Sequence, residues 1–469
     1  MSELTLHPDR LFPPEATTRG VASRLYDQVK DLPIISPHGH VPPEWIAKDI
    51  PFRDPASLLI TPDHYVGRIM HAHGVDLARL GVAQGELDET ASRAAFRTLC
   101  EHWHLYAGTP VRYWLENEFV DIFGIDEVPT AENADRLYDA VSEWISRPTS
   151  RPRALMESFD IEFIATTDDP CDTLEHHIAL AQDPSFTRRM APCFRPDAYL
   201  EPARKDWNER TDRLADVSGV SIDSYADWVA AMENRRAFFK ENGAVSTDHS
   251  HKDLRTDVLP EGEAERIFRE ARAGSASRVE CEALQRHMLS EMARMAADDG
   301  LTMTLHPAVA RNHDPATLRD FGADVGGDVP ISVEATRALQ PLLTRYGNTG
   351  TFNLVVFTMD ETIFGRELGP LAGFYRNMYV GVPWWFIDAP DAIRRFRKAV
   401  TEPAGFHKTS GFIDDTRAFC SIPARHDMSR RLDCVHLADL VVEHRLSEDE
   451  AARIAHELVV DIPRKVFTL

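Results

Sequence analysis

Cysteine is scarce in this chain: six in 469 residues, at Cys100, Cys171, Cys193, Cys281, Cys420 and Cys434, with no C-x-x-C pair. That excludes a disulfide-stapled scaffold and a zinc finger, and it fits a reducing compartment. Long apolar runs are missing as well. The first thirty residues carry charges throughout and lack a signal core, and no later stretch approaches the roughly 20 apolar residues of a membrane span. A cytoplasmic protein with no membrane partner is expected. Positive charge is in short supply, with 52 lysines and arginines against 75 aspartates and glutamates and a formal net charge of −23. Such a field repels polyanions, so nucleic acid is excluded as a partner. A small anionic substrate is still allowed, because screening limits the reach of distant charge to roughly 10 Å; its site must then be locally basic. Solenoid-length repeats and low-complexity tracts are absent too. What is present is 43% hydrophobic and 27% charged residues, enough apolar material for a large core.

Eight short β-like runs recur with helical stretches between them: Leu32–Ser36, Ile161–Thr166, Met190–Phe194, Ala244–Thr247, Leu301–Leu305, Phe352–Thr358, Met378–Trp384 and Phe406–Ile413. Alternation of strand and helix implies a parallel sheet with helices outside it. A run such as Asn353-Leu354-Val355-Val356-Phe357 reads as a strand buried on both faces. Eight units of this kind predict an α/β protein with a distorted (β/α)8 TIM barrel. Asp169-Pro170 reads as the cap and first turn of a helix through Leu174 to Ala181. Tyr225 to Lys240 places Trp228, Val229, Met232 and Phe239 at helical spacing and stops at Gly243 before the fourth strand. Between the first two strands, Val41 to Arg153 carries helical signals, among them Leu137, Val141, Trp144 and Ile145 behind a Thr130 cap. The predicted organisation is an N-terminal segment with the first strand (1–40), a helical insertion (41–153) and the remainder of the barrel (154–469).

The cluster richest in chemistry is Ser36-Pro37-His38-Gly39-His40. Residues i and i+2 on extended backbone project to the same side, so both imidazoles could grip one cation, and Gly39 keeps the chain close to it. The pair stands where the first strand ends, at the face of a barrel that carries catalysis. Two surface histidines in a turn would look the same in isolation. Other predicted strands also end in polar groups, however: Thr167-Asp168-Asp169, Arg195, Asp248-His249, His306, and Asp414-Asp415 with Arg417. All would converge on one mouth, although Asp169 reads as a helix cap rather than a catalyst and Asp168 and Asp248 take no assigned role.

Pro37-His38-Gly39-His40, Asp63-His64-Tyr65, Thr166-Thr167-Asp168-Asp169-Pro170, Phe194-Arg195-Pro196-Asp197, Leu305-His306 with Arg311-Asn312, Pro383-Trp384-Trp385-Phe386 and Asp415-Thr416-Arg417 resemble, in order and over nearly the whole chain, the motifs of the uronate isomerases of the amidohydrolase superfamily. The resemblance implies an aldose–ketose isomerase of hexuronates, turning D-glucuronate into D-fructuronate and D-galacturonate into D-tagaturonate. It also implies a single divalent metal ion, usually Zn2+, held by His38, His40 and Asp415. Many amidohydrolases carry a carbamylated lysine after strand four and a histidine after strand six; Ser246-Thr247-Asp248 and Phe357-Thr358-Met359 stand here instead, which argues against a two-metal hydrolytic centre. The family pattern Asp-Ser-Arg is Asp-Thr-Arg in this chain, with a further acid, Asp414, before it. The resemblance favours Asp415 as ligand, because its spacing to Arg417 matches the family pattern, and i, i+2 keeps both on one face.

Moving a proton between C2 and C1 of a sugar acid requires stabilising an enediolate. A three-ligand metal keeps an open position for substrate oxygens. Arg417 could add fixed positive charge, and Arg195 suits bidentate capture of the substrate carboxylate. The base is left open between Asp415 and Tyr65, whose phenol would need its pKa lowered by nearby cations. His306 could donate a hydrogen bond to a substrate hydroxyl or join a proton relay, while Trp384 and Trp385 serve equally as a wall or as core. Tyr65 lies in the insertion, which would then fold over the mouth and exclude water. The alternatives are a mononuclear zinc hydrolase of the same superfamily, a lactonase or deaminase, and a barrel that only binds. Metal-assisted proton transfer through the enediolate is the expected route, with a metal-assisted hydride shift as its alternative; the sequence does not choose the preferred hexuronate, and a homo-oligomer is expected.

Overall fold

The computed structural model describes residues 3–469. Its strands are β1 (Ile34–Ser36), β2 (Ile161–Ala165), β3 (Arg189–Ala191), β4 (Ser246–His249), β5 (Thr302–Leu305), β6 (Val309–Ala310), β7 (Val329–Pro330), β8 (Leu354–Val356) and β9 (Met378–Val380). β1, β2 and β3 form one parallel sheet, and β4, β5, β8 and β9 form another. Parallel bridges from Phe194 to Asp168 and to Thr247 join the two sheets, and a bridge from Val380 to Thr409 adds an eighth position. This is the pairing order of the predicted barrel, with helices in the connections. Between the eighth position and the first, the His40 N–H donates to the Thr416 carbonyl at 3.0 Å. β6 and β7 stand apart as an antiparallel pair in the β5–β8 connection, which strand–helix alternation does not predict.

Buried apolar side chains explain where strands form. Leu354, Val355 and Val356 are fully buried, each worth about 1.5–3 kcal/mol relative to exposure. Departures from the predicted strands have local causes. Leu32 closes a turn onto the Val29 carbonyl and Pro33 has no N–H to give, so β1 begins at Ile34. β4 lies two residues later than predicted and takes in Asp248 and His249. The predicted eighth strand, Phe406–Ile413, is not a strand: Phe406–Lys408 forms a single tight helical turn, and Gly411 has a positive φ of 74°, which breaks extended backbone. Thr409 between them makes the isolated bridge.

Within 41–153 the structure is helical, with helices at Pro43–Lys48, Pro55–Leu59, His64–Ala72, Glu89–Glu101, Pro110–Asn117, Ala134–Ile145 and Pro152–Ser158. Two predicted caps act differently from expectation. Thr130 bonds reciprocally with Asn133, ahead of a helix that starts at Ala134. Asp169 accepts from the Cys171 N–H and the Tyr199 hydroxyl, closing a turn, while the following helix begins only at Glu175 behind a left-handed Leu174. The Tyr225–Glu241 helix matches its prediction, with Ser224 and Asp227 forming a capping box and Gly243 at φ 93° past its end. Helix Ile422–Val442 is buried nearly throughout. Its charges are paired inside the fold, as in the two bonds from Arg397 to Asp433 at 2.5 and 2.8 Å. Among the described residues, no helix is long and apolar enough to cross a membrane.

Candidate active site

The chain leaves β1 as Pro37-His38-Gly39-His40, and Gly39 lets it pass close to its neighbours. A Cβ there would meet the Ala165 carbonyl oxygen at 3.4 Å and Asp414 Oδ1 at 3.6 Å. From the far end of the pairing order comes Asp415, held at a positive φ of 44°, a conformation that costs a non-glycine residue of order 1 kcal/mol and gathers at functional sites. His38 Nε2 lies 3.3 Å and His40 Nε2 3.0 Å from the same oxygen, Asp415 Oδ1. The imidazoles are out of alignment for hydrogen bonding, leaving Oδ1 buried without a donor. Ligand atoms about 2.0–2.2 Å from a shared tetrahedral ion stand about 3.3 Å apart, so this donor set has the chemistry and the spacing for a divalent cation. Electrostatics agree. Burial alone would raise the Asp415 carboxyl, yet His38 and His40 hold it well below the usual carboxylate range. Burial opposes protonation of His38 as well, and Asp248 with Asp415 still drives its pKa up. The cluster therefore demands a positive charge that a cation can supply in place of the proton.

Beside the triad lies a second polar group. The Asp248 carboxylate at the end of β4 meets His306 Nδ1 at 2.6 Å and Arg195 Nε at 3.4 Å. Burial works against that carboxylate, but Arg195, His306 and His38 keep its pKa well below normal. His306 is sandwiched between His38, at 4.7 Å, and Phe357, at 4.3 Å, with Trp384 edge-on at 4.6 Å. Burial lowers its pKa, so with Nδ1–H given to Asp248 the neutral ring presents Nε2 as an acceptor. That nitrogen is buried with no partner. The ring therefore presents Nε2 to the pocket, as an acceptor when neutral and as a donor when protonated.

On the opposite side, Arg417 Nη2 donates to Asp324 Oδ2 at 3.0 Å, and Arg311 reaches Asp324 Oδ1 at 3.4 Å and Ser250 Oγ at 2.6 Å. Tyr65 is brought in by the His64–Ala72 helix, which Asp63 caps. Its hydroxyl donates to Asp388 Oδ1 at 2.9 Å and accepts from the Phe386 N–H at 3.1 Å. Arg425 holds the other oxygen of Asp388 at 2.9 Å. Burial and then Asp388 push the Tyr65 phenol well above its ordinary pKa, the reverse of what a tyrosine base requires. Trp385 donates its indole N–H to His64 Nε2 at 2.6 Å.

Together these groups line one pocket, walled by His38, His40, Tyr65, Arg195, His306, Asp415 and Arg417, by Trp384 and Trp385, which act as a wall, and by residues given no role by sequence reasoning: His64, Asp248, Ser250, Arg311 and Asp324. The residues given a site role from the sequence, His38, His40, Tyr65, Arg195, His306, Asp415 and Arg417, thus lie at one pocket, whereas Asp168, Asp169 and His249, also expected at the mouth, do not line it. Asp414 does not reach it, being engaged by His426 Nε2 at 3.1 Å. His64, Arg311 and the tryptophans sat within noticed motifs. Asp324 carried no local signal beyond a glycine-rich turn in the loop after β5, the place where barrel enzymes put functional groups.

The profile of the Glucuronate isomerase family matches residues 16–467. The uronate isomerase of Cutibacterium acnes is 58% identical over 466 residues, 99% of each chain. That of Corynebacterium efficiens is 50% identical over 464 residues, covering 99% of this chain and 98% of its own. The crystal structure of glucuronate isomerase from Caulobacter crescentus superposes with a TM-score of 0.97 at 42% identity, covering 100% of this chain and 98% of that one.

Proposed function

The chain belongs to the glucuronate isomerase family, and from that premise we propose that it interconverts aldose and ketose hexuronates, D-glucuronate with D-fructuronate and D-galacturonate with D-tagaturonate, in the pocket beneath Trp385. The observation that carries this reading is the meeting of a cation-seeking triad, His38, His40 and Asp415, with Arg195, Arg311 and Arg417 in one pocket. An anionic sugar needs such local positive charge in a molecule of net charge −23. The hydrolase alternative is not favoured, since identity to uronate isomerases runs the full length.

His38, His40 and Asp415 would hold one divalent ion, most fittingly Zn2+, which when bound supplies Lewis acidity toward the substrate carbonyl. Arg195 anchors the substrate carboxylate: its Nε is committed to Asp197 and Asp248, and the Nη groups have no protein acceptor among the described residues. Arg417 adds positive charge beside the oxygens that become an enediolate. Asp415 is the better base, because Tyr65 keeps its proton for Asp388. With Oδ1 facing the imidazoles, its Oδ2 carries the proton between C2 and C1. His306 Nε2 takes a hydrogen bond from a substrate hydroxyl, its tautomer fixed by Asp248. The helical segment 41–153 acts as a subdomain that delivers His64 and Tyr65 to the mouth and keeps water out. A homo-oligomer working in the cytoplasm completes the proposal. Incubation of the purified protein with D-glucuronate, with and without chelator, tests it. Ketose is expected only with metal, and running the reaction in deuterated water should place deuterium on the product carbon. Ring-opened acid from lactones without any ketose would overturn the isomerase reading; absence of solvent deuterium would replace proton transfer by a hydride shift.

A further inference from the structure

A second group of ligand-type side chains lies behind Arg195. Asp197, His249 and His251 each offer one ligand atom, and these atoms are within 4.8 Å of one another. Both imidazoles are buried. His249 turns Nε2 to the Thr247 hydroxyl at 3.1 Å, which leaves Nδ1 buried with no hydrogen-bond partner. His251 sets Nδ1 against the side-chain amide of Gln285 at 3.4 Å, and its Nε2 is likewise buried and unpartnered, 3.7 Å from Asp197 Oδ1. Gln285 Nε2–H donates to His251 Nδ1, which leaves the His251 proton on Nε2 facing Asp197 Oδ1; an ion bound at Nε2 would move that proton to Nδ1, where the amide turns its oxygen to receive it, while His249 offers its unpartnered Nδ1. The carboxylate is itself held from behind. The Ser250 N–H reaches both its oxygens at 3.1 and 3.0 Å, and Arg195 Nε donates to Oδ2 at 3.2 Å. Outer donors that fix each ligand's orientation and tautomer are the usual surroundings of a protein metal site.

We propose that Asp197, His249 and His251 form a second cation site, for a metal of the zinc class, distinct from the His38–His40–Asp415 group. Two imidazoles and one carboxylate are a donor set that zinc accepts with a fourth position for water, whereas calcium and magnesium prefer all-oxygen shells. Such an ion ties the segment leaving β4 to the turn after β3 and, through Asp197, steadies Arg195. It is a positioning site rather than a catalytic one.

Zinc-edge anomalous scattering from crystals of the full-length protein grown with saturating zinc tests the proposal directly. A peak between His249, His251 and Asp197, separate from any peak at His38 and His40, is the expected result. A map with no peak there overturns the proposal, whatever stands at the other site. In solution, apoprotein titrated with zinc should bind two equivalents. His251→Gln should bind one and retain it when His38 is intact, and His38→Asn should also bind one. Two equivalents retained by folded His251→Gln would equally overturn the assignment, because the second ion would then lie elsewhere.

Discussion

Asp414 and Asp415 are adjacent acids with different employment. Asp414 is buried and serves the fold, accepting from His426 Nε2 at 3.1 Å and the Thr416 N–H at 3.4 Å. Asp415, at positive φ, points its Oδ1 to His38 and His40. Asp415→Asn should therefore lower kcat at least about 100-fold, as expected on removing a group that both ligates metal and moves a proton, with metal content falling in elemental analysis. Asp414→Asn should keep its metal and lose roughly 1–3 kcal/mol of stability from a mismatched buried hydrogen bond, seen in denaturant titration. A reversal of the two metal contents would move the ligand by one residue. Tyr65 poses a similar choice. Because its proton is committed to Asp388, Tyr65→Phe should cost about 10-fold in kcat, the scale of one hydrogen bond. A loss of about 1,000-fold or more would restore Tyr65 as the base.

The eighth barrel position shows how an element can be legible in order yet not in form. Phe406–Ile413 reads as a strand by its place after seven others, but Gly411 adopts φ 74°, and a Cβ there would meet Pro463 Cδ at 2.7 Å and its Cβ and Cγ at 3.0 Å. Gly411→Ala should cost about 3 kcal/mol, combining left-handed strain with overpacking. Gly219 has φ 70° with nothing within 4 Å of its Cβ position, so Gly219→Ala should cost only about 1 kcal/mol. Equal shifts of the two midpoints in urea would sink the packing argument. The same contrast explains what could be read in advance. β8 and β9 announce themselves because burial on both faces requires apolar runs, whereas β2 and β5 are marked by apolar residues broken by Glu162 and by Thr302 and Thr304. Segments whose shape depends on distant contacts, Gly411 against Pro463 and the β6–β7 hairpin, give no periodic signal. The site follows this division. His38, His40, Asp415, Arg195 and Arg417 were visible at strand ends, where the fold must gather them. Asp324 reaches its arginines from a loop whose path the sequence does not encode locally, and the role of Asp248 appears only when β4 is shifted by two residues.

At the scale of the whole molecule, the insertion and the barrel share a buried acid. Glu118 follows the Pro110–Asn117 helix and is 3% exposed. Burial first, and the nearby Asp63 charge second, raise its carboxyl from the ordinary 4.5 to about 8, against the pull of Arg425 on the Ile422–Val442 helix. Asp168 in the barrel is raised by burial in the same sense, to about 7. A folded-state pKa above the unfolded one means the stabilising contribution is fully present below about pH 4.5 and is lost as pH rises through about 8. For Glu118 the loss at full ionisation is on the order of 4 to 5 kcal/mol, at about 1.4 kcal/mol per tenfold. Glutamine keeps the shape of the protonated acid and cannot ionise. Glu118→Gln should therefore melt close to the native chain at pH 5, where both side chains are neutral, and several degrees above it at pH 9. Differential scanning fluorimetry across that range, in a fixed metal and salt concentration, checks this. A gap between the two melting curves that stays the same at pH 5 and pH 9 would mean that Glu118 does not titrate within the fold, and that the junction of insertion and barrel is wetter than its burial implies.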